Sequence, residues 1–451
     1  MRQVRKKSAD PVARSYLLKA KKEGLELSWN RYENMLPQDG FGKLGLSCFD
    51  CLQGPCRLNP FSLKEERTIC GRNKEDLVLY NILRLLSGTV FPEKGQRLTW
   101  KEMLLETART RMEDLKKNKK FIEKKESTKQ IGLGVLEKET VNICLESVSP
   151  EVLDRCLQLA EEMKQEARNS GAKGFKLVLA GDATPVYPVV TVSNAGGVEF
   201  ALLTGLIDLY AVGPSGLGLG KNVIPSYHTV YRDAAPNADK EEMRDWFIQA
   251  AVAYTKRDKE KVLESEQIGE ARLLAIDPSF LKAHLEQGTI RKICILAGGS
   301  SVLITEDALL CEAAIVLSGE HNLCLTYGNA TATLGKYGLL QPGAEGASPK
   351  VSQALGLEKG SPVYWMGSES DILAILDLID VIGANNVLAL VPELSTAEDL
   401  QAALALAGTG AKVFTAVKLP VDGCEAVAQE INELIQYCDP KDFMMQIMAE
   451  L

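Results

Sequence analysis

Apolar residues in the first part of the chain recur at the spacing of a helix. Residues 73–87 follow this spacing, which predicts a helix with one buried face. Its apolar positions are Leu77, Val78, Ile82, Leu85 and Leu86. Two more helices, each charged along one side, are predicted over 100–120 and 150–169, with a loop over 127–141 between them. With a polar, partly helical arm before them, these segments predict a mainly helical domain over residues 1–175.

The pattern changes at residue 176, where short β-branched or apolar runs begin to alternate with helical segments. Several runs end in glycine where a helix would begin, which is typical of parallel α/β units. We predict strands at 176–181, 189–193, 209–213, 292–298, 313–319, 322–328, 386–391 and 412–417. No G-x-G-x-x-G motif opens a helix, so a dinucleotide site is unsupported. The predicted fold class is therefore α/β, with a helical N-terminal domain followed by two Rossmann-like parallel α/β domains over 176–290 and 291–451.

Composition excludes several classes of function. Of the 451 residues, 45% are hydrophobic and 25% are charged, which suits packed cores and excludes a disordered chain. Acidic residues number 60 against 52 basic ones, and the net charge of -8 argues against a nucleic-acid partner. No apolar run of about 18 residues exists, and the basic start has no apolar segment behind it. We therefore expect a cytoplasmic protein that does not span a membrane.

Four of the eleven cysteines fall close together in a loop rich in glycine and proline, residues 41–72. They are Cys48, Cys51, Cys56 and Cys70. The odd total and the scatter of the other seven do not fit a disulfide framework. In a reducing cytosol such a cluster indicates a metal more often than a disulfide.

The spacing of this cluster, C-x2-C-x4-C-x13-C, bears on which metal it holds. Zinc sites usually combine two similar C-x2-4-C units, and the second half of this motif has none. A [4Fe–4S] cluster also needs four thiolates and accepts one distant ligand. Gly54-Pro55 would give a rigid turn before Cys56, and Gly71 would let the backbone come close to the cluster. The spacing therefore favours iron–sulfur, while zinc and four unliganded cysteines remain alternatives.

The same residues carry a resemblance to a known family. The pattern F-G-x-L-G-x-x-C-x-x-C-x-x-G-P-C-R-x-x-P-F, at 41–61, is followed by C-G at 70–71. It resembles the N-terminal cluster segment of the nickel–iron carbon monoxide dehydrogenases, of the hybrid-cluster protein superfamily. Weaker similarity continues through 192–212, 325–340, 362–375 and 392–410. The resemblance implies a divergent, shortened member whose four cysteines ligate the [4Fe–4S] B-cluster, one per chain.

The chain departs from this family at the family's other two clusters. The two positions that resemble ligands of the shared D-cluster hold Asp39 and Ser47, so we expect no cluster there. The places that correspond to the nickel–iron C-cluster ligands contain neither cysteine nor histidine. They fall near Asp182, Gly216, Gly299, Asn329, Glu369 and Leu404. Because a soft nickel–iron–sulfide cluster needs softer ligands than these, we expect no nickel and no nickel-dependent CO oxidation.

What occupies the former C-cluster position stays open at the level of sequence. Asp182, Asn329 and Glu369 form a candidate catalytic pocket, either as hard oxygen ligands or as a polar small-molecule site. A collapsed, solvated cleft is the favoured expectation.

A basic run is the last candidate feature, and it is expected to be a solvated helix end or a docking site for an acidic carrier such as a ferredoxin. It comprises Lys116, Lys117, Lys119, Lys120, Lys124 and Lys125.

Three functions are consistent with these observations. The first is an electron-transfer protein with one [4Fe–4S] cluster and a redox partner such as a ferredoxin. The second is an oxidoreductase with a rebuilt active site at the former C-cluster position. The third is a non-redox subunit that pairs with a carbon monoxide dehydrogenase or a corrinoid protein. The resemblance also implies a homodimer, or a heterodimer with a subunit of the dehydrogenase type.

Overall fold

The N-terminal elements surround the cysteine loop. In this computed structural model, which describes residues 6–87, 100–117 and 128–451, they are mostly helical. They are α1 (Ala13–Glu23), α2 (Ser28–Asn34), α3 (Gly40–Lys43), β1 (Ser47–Cys48), β2 (Cys56–Arg57), α4 (Lys74–Ser87) and α5 (Trp100–Lys117). The predicted helix over 73–87 is confirmed as α4. Its predicted apolar face is buried except at Leu85, which is exposed.

The first large sheet has seven strands in the order β8-β7-β4-β5-β6-β3-β9, parallel except for the antiparallel edge pair β3 and β9. Its strands are β3 (Thr128–Ile131), β4 (Val141–Glu146), β5 (Phe175–Ala180), β6 (Val190–Ser193), β7 (Ile207–Val212), β8 (Val230–Asp233) and β9 (Gly269–Arg272). Its helices are α6 (Pro150–Glu162), α7 (Lys164–Asn169), α8 (Val198–Leu203) and α9 (Lys240–Tyr254).

The second sheet has six parallel strands in the order β12-β11-β10-β13-β14-β15. They are β10 (Ile293–Leu296), β11 (Leu323–Thr326), β12 (Val363–Trp365), β13 (Val387–Leu390), β14 (Lys412–Thr415) and β15 (Ile435–Tyr437). The helices of this part are α10 (Pro278–Glu286), α11 (Ala308–Gly319), α12 (Asn329–Lys336), α13 (Pro349–Ala354), α14 (Ile372–Ile382), α15 (Ala397–Gly408), α16 (Glu425–Leu434) and α17 (Phe443–Ala449).

Both sheets have the strand order of a Rossmann fold. Numbered from its own first strand, the second sheet runs 3-2-1-4-5-6, and β4 to β8 of the first sheet run 3-2-1-4-5. The predicted α/β class is confirmed. In such sheets ligands bind beyond the carboxyl ends of the strands, beside the point where the order reverses.

One predicted strand is wrong, because residues 313–319 lie in helix α11. One side of this helix packs against the second sheet and helices α12 and α17, but the exposed side also carries apolar residues such as Ile315, so the sequence has no clear polar face. A short apolar run cannot distinguish a buried helix from a buried strand. The other seven predicted strands are present.

The structure also differs from the predicted boundary at residue 175. Strand β3 begins at Thr128, inside the predicted loop, and β4 pairs with both β5 and β7 in the middle of the first sheet. The helices before them share the cores of the two sheets: α1 packs on α8, and α5 packs on α15. Residues 1–175 therefore do not form a helical unit with a core of its own.

The predicted basic run lies at the edge of the described chain. Lys116 and Lys117 end α5, and the side chains of the whole run, including Lys119, Lys120, Lys124 and Lys125, lie outside the described residues. Its docking role therefore stays a prediction. No helix in the described part of the chain is long and apolar enough to cross a membrane.

Candidate functional site

The four clustered cysteines lie on a small hairpin and the turn beside it. Strands β1 and β2 pair antiparallel, so that Cys48 lies directly opposite Cys56, and opposed residues project from the same face of the pair. Next to them, Leu58 N donates to Leu46 O at 3.1 Å. Both leucines are buried in the core that includes α4. The hairpin is thus fixed to the protein by apolar packing on one side of its cysteines.

The backbones of three cysteines meet at Gly54. A β-carbon on Gly54 would lie 3.0 Å from Cys56 N, 3.4 Å from Cys48 O and 3.5 Å from Cys51 O. The amide of Gly54 also donates to Cys51 O at 3.2 Å. A larger residue would push these backbones apart, which explains a glycine at this point of the loop.

The fourth cysteine lies in a tight turn that is bound to the same hairpin. Gly71 N donates to Thr68 O at 2.9 Å, and Thr68 Oγ1 lies 3.3 Å from Cys70 Sγ. This contact with Thr68, helped by the positive charge of Arg72, lowers the pKa of the Cys70 thiol. The thiolate is the form that binds metals. The turn therefore favours the ligating state of an exposed cysteine.

Arg72 connects the turn to the hairpin. Its Nη1 lies 3.8 Å from Cys48 Sγ and 3.7 Å from Asp50 Oδ2, and its guanidinium stacks 3.5 Å over the ring of Tyr80. Asp50 is also bound by Arg84 at 3.2 Å. Burial raises the pKa of the Cys48 thiol, and the side chain of Asp50 adds to this effect, whereas a backbone hydrogen bond at Asp50 and the charge of Arg72 act in the opposite direction. The guanidinium therefore lies where it can offset the negative charge of a Cys48 thiolate.

The donor set fits an iron–sulfur cluster by its chemistry and its place in the chain. All four cysteines are free thiols, and Cys51 and Cys70 are exposed, so their side chains can turn without disturbing a core. In the part of the chain that the structure describes, however, no three histidine, cysteine, aspartate or glutamate side chains are close enough to hold a metal ion. The fit therefore rests on the presence of four thiols in connected loops. It does not rest on sulfur atoms that already lie at metal-binding distances from one another.

The two positions that resemble D-cluster ligands hold oxygen side chains. Asp39 caps helix α3, accepting hydrogen bonds from Phe41 N at 3.3 Å and Gly42 N at 2.8 Å. Ser47 lies in β1 opposite Arg57. Neither arrangement offers a soft ligand.

The three residues predicted at the former C-cluster position line one cavity of about 420 Å³. The favoured expectation of a collapsed cleft is therefore not what the structure shows. The cavity lies beyond the carboxyl ends of strands from both sheets. Polar lining residues that follow β4, β5, β7, β11, β12 and β13 are Ser147, Asp182, Ser215, Asn329, Glu369 and Thr396, respectively.

Asp182 and Glu369 connect the two sheets across this cavity. The amide of Glu369 donates to Asp182 Oδ2 at 3.0 Å. The Glu369 carboxylate lies over Gly328, which has a φ of +61° and whose ideal β-carbon would lie 1.6 Å from Glu369 Oε2. Only glycine leaves room for this carboxylate.

Burial and neighbouring charges change the protonation of Glu369. The pKa of Glu369 stands well above its usual range. Burial is the largest cause of this rise, and the charges of Asp182, Asp399 and Glu398 add to it. Asp399 and Glu398 belong to the first turn of α15 and were missed by sequence reasoning. The available signal was the capping box from Thr396 to Asp399, which marks the start of a helix after a buried strand.

Gly216, Gly299 and Leu404 are not themselves among the cavity's lining residues, although Ser215 and Ala402, close to two of these places, are. The ideal β-carbon of Gly216 would lie 3.2 Å from Glu146 Oε1, and that of Gly299 would lie 2.7 Å from Ser395 Oγ. Leu404 is buried within α15. Of the six residues named for these places, the structure brings Asp182, Asn329 and Glu369 to the cavity.

A second buried charged cluster joins the N-terminal arm to the second sheet. Lys336 Nζ lies 3.2 Å from Asp10 Oδ2 and 2.5 Å from Asp307 Oδ2. Glu306, fully buried, accepts a hydrogen bond from Ser300 Oγ at 2.8 Å. Sequence reasoning missed this cluster, because its members come from distant parts of the chain.

Comparisons with known proteins point to one family. Carbon monoxide dehydrogenase 1 of Methanosarcina mazei is 46% identical over 81 residues, which cover 18% of this chain and 13% of that protein. Carbon monoxide dehydrogenase 2 of Carboxydothermus hydrogenoformans is 47% identical over 81 residues, with the same coverage. The matched residues therefore span about an eighth of these relatives' length. No protein-family model matches the chain.

Solved structures extend the similarity of fold to the whole chain. Carbon monoxide dehydrogenase IV from Carboxydothermus hydrogenoformans superposes with a TM-score of 0.80 at 20% identity, over 99% of each chain. A nickel-free carbon monoxide dehydrogenase from Thermococcus sp. AM4 gives a TM-score of 0.79 at 18% identity, over 98% of this chain and 96% of that one. At these identities the superpositions establish a common fold.

Proposed function

We propose that this chain, a divergent member of the carbon monoxide dehydrogenase superfamily, binds one [4Fe–4S] cluster and transfers single electrons through it. The ligands are Cys48, Cys51, Cys56 and Cys70. The observation that carries the proposal is the hairpin that places Cys48 opposite Cys56, with the backbones of three cysteines meeting at Gly54. When bound, the cluster supplies one-electron redox chemistry, and its potential depends on nearby charges and solvent exposure.

The proposal includes the absence of a nickel site. No cysteine or histidine is among the residues that line the cavity at the former C-cluster position. Carboxylate and amide oxygens are poor ligands for a nickel–iron–sulfide centre. We therefore propose that the protein does not oxidise CO at nickel.

Exposed apolar side chains around the cysteines support a protein partner at this end of the molecule. They are Phe49, Leu52, Phe61, Leu63 and Ile69. Apolar residues grouped on a surface usually mark an interaction site. We propose that a redox partner such as a ferredoxin, or a second subunit in a homodimer or a heterodimer, binds here. Eleven free cysteines suit a reducing, cytoplasmic compartment.

The test is the metal content of protein purified without oxygen, with an EPR spectrum after reduction. We expect about four irons and four sulfides per chain, no nickel and one reduced-cluster signal. One zinc per chain without iron would instead make the loop a structural zinc site. A folded protein that holds neither metal would point to a non-redox subunit, and stoichiometric nickel would contradict the proposal.

The cavity supports a second candidate, an oxidoreductase with a rebuilt active site. It lies where α/β folds bind ligands, and it contains Glu369, whose pKa is strongly raised. The test is a screen in which the reduced cluster is mixed with small molecules and its reoxidation is followed without oxygen. Reoxidation that is lost in Glu369→Ala but kept in Glu312→Ala, a surface change on α11, would favour an enzyme.

A further inference from the structure

A second, smaller cavity lies at the amino ends of strands β7 and β8, the opposite end of the first sheet from the cavity at the former C-cluster position. We infer that it binds a small oxyanion, the phosphate group of inorganic phosphate or of a phosphate monoester. Its volume is about 270 Å³, and its lining residues include Gly205, Ser226, His228, Lys256, Asp258 and Lys261. It shares no lining residue with the larger cavity, so the inference is independent of both candidate functions.

His228 is the buried polar side chain of this site. Its side chain is only 4% exposed, and its Nε2 lies 3.1 Å from Oδ1 of the buried Asp208. Arg257 binds the same carboxylate through Nε, at 2.8 Å, and through Nη2. A carboxylate that pairs with a guanidinium accepts hydrogen bonds, so Nε2 of His228 carries its hydrogen and donates to Asp208.

This arrangement leaves the other ring nitrogen of His228 for a ligand. Nδ1 has no hydrogen-bond partner among the residues that the structure describes, and the ring lines the cavity. Polar atoms of deeply buried side chains normally have partners. Nδ1 accepts a hydrogen bond when the ring is neutral and donates one when the ring is charged. A phosphate group has several acceptor oxygens and, as a monoanion, a hydroxyl, so it matches either state of the ring.

Two lysines bring positive charge to the cavity. Lys261 Nζ donates to Ser226 O at 2.8 Å, and an ammonium has two further donors. The ammonium of exposed Lys256 forms no hydrogen bond or ion pair within the described ranges of the chain. Gly205, with a φ of +70°, lets the lysine segment approach, because its ideal β-carbon would lie 2.9 Å from Lys261 O. Both lysines therefore have donors left for a ligand.

The charges around the cavity leave an excess of positive charge. Asp258 is the acidic residue among the described lining residues, and its Oδ1 already accepts a backbone hydrogen bond at 3.0 Å. Beyond the lining, Asp208 is paired with Arg257, and Glu23 is paired with Lys19. Two lysines thus face one lining carboxylate, in a chain whose net charge is -8. This local reversal of charge favours an anion.

Helices α8 and α9 end beside this cavity, and free carbonyls at helix C-termini would repel an anion. The chain itself binds carbonyls at both ends. Gly205 N donates to Leu202 O at 3.0 Å after α8, and Lys256 N donates to Ala253 O at 2.9 Å after α9. An anion would therefore meet ammonium groups and the imidazole before it met these carbonyl oxygens.

Other classes of ligand fit this cavity less well. Its volume is below the range of about 300–1,000 Å³ that is usual for larger organic ligands. In the part of the chain with assigned coordinates, no three histidine, cysteine or acidic side chains are close enough to hold a metal ion. A carboxylate ion has one negative charge and two oxygens, whereas a phosphate group carries up to two charges and three acceptor oxygens. Two lysines and an imidazole therefore match phosphate better.

The test uses inorganic phosphate, glycerol 3-phosphate and acetate, each added at the same ionic strength to the full-length protein purified without oxygen. Calorimetry measures affinity, and NMR follows the imidazole signals, which are few because the chain has three histidines. The other two, His284 and His321, do not line this cavity. We expect phosphate to bind at about millimolar concentration or tighter and to shift one histidine signal, with acetate at least about tenfold weaker.

The two phosphate probes distinguish the source of the ligand. Tighter binding of glycerol 3-phosphate would assign a monoester, and tighter binding of inorganic phosphate would assign the free ion. No shifted histidine signal with either probe, or acetate binding as tightly as phosphate, would overturn the inference.

Three variants locate the bound ion. His228→Gln keeps an N–H donor for Asp208 but removes Nδ1, so it should weaken phosphate binding by about tenfold or more and abolish the shifted signal. Lys256→Gln removes an exposed charge and should weaken binding by about fivefold or more. Lys259→Gln changes an exposed lysine of the same segment that does not line the cavity, and it should leave the affinity unchanged.

Equal affinity in Lys256→Gln and Lys259→Gln, with iron content and far-UV circular dichroism matching wild type, would place the ion elsewhere and overturn the inference. Because both lysines are exposed, this comparison holds even if His228→Gln fails to fold.

Discussion

Arg72 places its guanidinium 3.8 Å from the sulfur of Cys48, although 24 residues separate the two in the sequence. The same arginine follows the turn that carries Cys70, and the charges of both thiols act on it. One cation therefore interacts electrostatically with two of the four proposed ligands. Since Tyr80 and Asp50 hold this guanidinium in place, its charge stays next to the position of the proposed cluster.

The first prediction concerns the charge of Arg72. Reduction adds a negative charge to an iron–sulfur cluster, which a nearby cation stabilises, so Arg72→Gln should make the reduction potential more negative. One charge at this distance, partly screened by water, corresponds to a shift of tens of millivolts. Iron content should stay near that of wild type. The measurement is a redox titration followed by EPR.

Two controls define this effect. Arg72→Lys keeps the charge and should restore most of the potential, while Arg67→Gln removes an exposed arginine that pairs with Glu65 in the same loop. If Arg72→Gln and Arg67→Gln have the same potential as wild type, Arg72 has no special role beside the cluster.

The second prediction concerns the cysteine ligands. Cys56→Ala should reduce iron from about four per chain to near zero, because a cubane cluster with three protein thiolates is poorly retained. The loss should destabilise mainly residues 41–87, since ligation connects the hairpin to the turn at Cys70. Hydrogen exchange measured by mass spectrometry would locate the change.

The matched control is Cys156→Ala. Cys156 is fully buried in α6, in the core of the first sheet, whereas the hairpin packs in the core that includes α4. This variant should lose some stability but keep its iron. Equal iron in Cys56→Ala and wild type would exclude Cys56 as a ligand.

Local patterns were sufficient for much of the fold. Alternating apolar runs and terminal glycines predicted seven strands of the two sheets. The metal loop inferred from the cysteine spacing stays a prediction. Residues 313–319 were assigned to a strand because the exposed side of this helix carries the apolar Ile315, so the segment shows no helical period. Helix α1 packs on α8 of the first sheet, and α5 packs on α15 of the second sheet. These contacts join segments that are distant in the sequence, and the helical period alone does not encode them.

The cavity was predictable only in part, for a related reason. Asp182, Asn329 and Glu369 were predicted from the family resemblance, as the polar residues at places that correspond to C-cluster ligands, and each follows a strand. Glu398 and Asp399 lie in a different element and meet them only in the folded chain. Their capping box is a local signal for a helix start, and it contains no information about the cavity beside it.

The third prediction concerns the buried ion pairs of Lys336. Burial lowers the pKa of this ammonium, but the charges of Asp307, Glu306 and Asp10 outweigh burial, and the pKa stands above its usual value. Lys336→Met should therefore destabilise the protein by about 3–5 kcal/mol, since it leaves buried carboxylates without a counter-charge. Chemical denaturation measures the difference.

The control for Lys336 is a surface ion pair of the same kind. Lys412 is 61% exposed and pairs with Glu450, so Lys412→Met should change stability by less than about 1 kcal/mol. Similar losses in the two variants would mean that the buried cluster contributes no more than a surface pair. A stabilised Lys336→Met would show that desolvation of the cluster outweighs its attraction.

The last prediction is a pH dependence that comes from Glu306. Burial, together with the charge of Asp307, raises the pKa of Glu306 from 4.5 to about 7, although Lys336 acts in the opposite direction. The folded protein therefore holds a proton on Glu306 between these two values, whereas the unfolded chain has lost it. Stability must fall as pH rises through this window, by up to about 1.4 kcal/mol per pH unit for one such group. Above pH 7 both states are ionised and the contribution becomes constant.

Glu306→Gln should remove this part of the slope, because the amide matches the protonated carboxyl in shape and does not titrate. The free energy of unfolding, measured by denaturant titration at pH 5, 6 and 7, should fall less steeply in the variant than in wild type. The carboxyls of Asp10, Asp307 and Glu393 face the same cluster and remain in both proteins, so the difference between the two curves belongs to Glu306. Glu312→Gln, on the exposed side of α11, should leave the wild-type slope unchanged. Parallel curves for Glu306→Gln and wild type would show that Glu306 is ionised across the whole range, with Lys336 supplying its counter-charge.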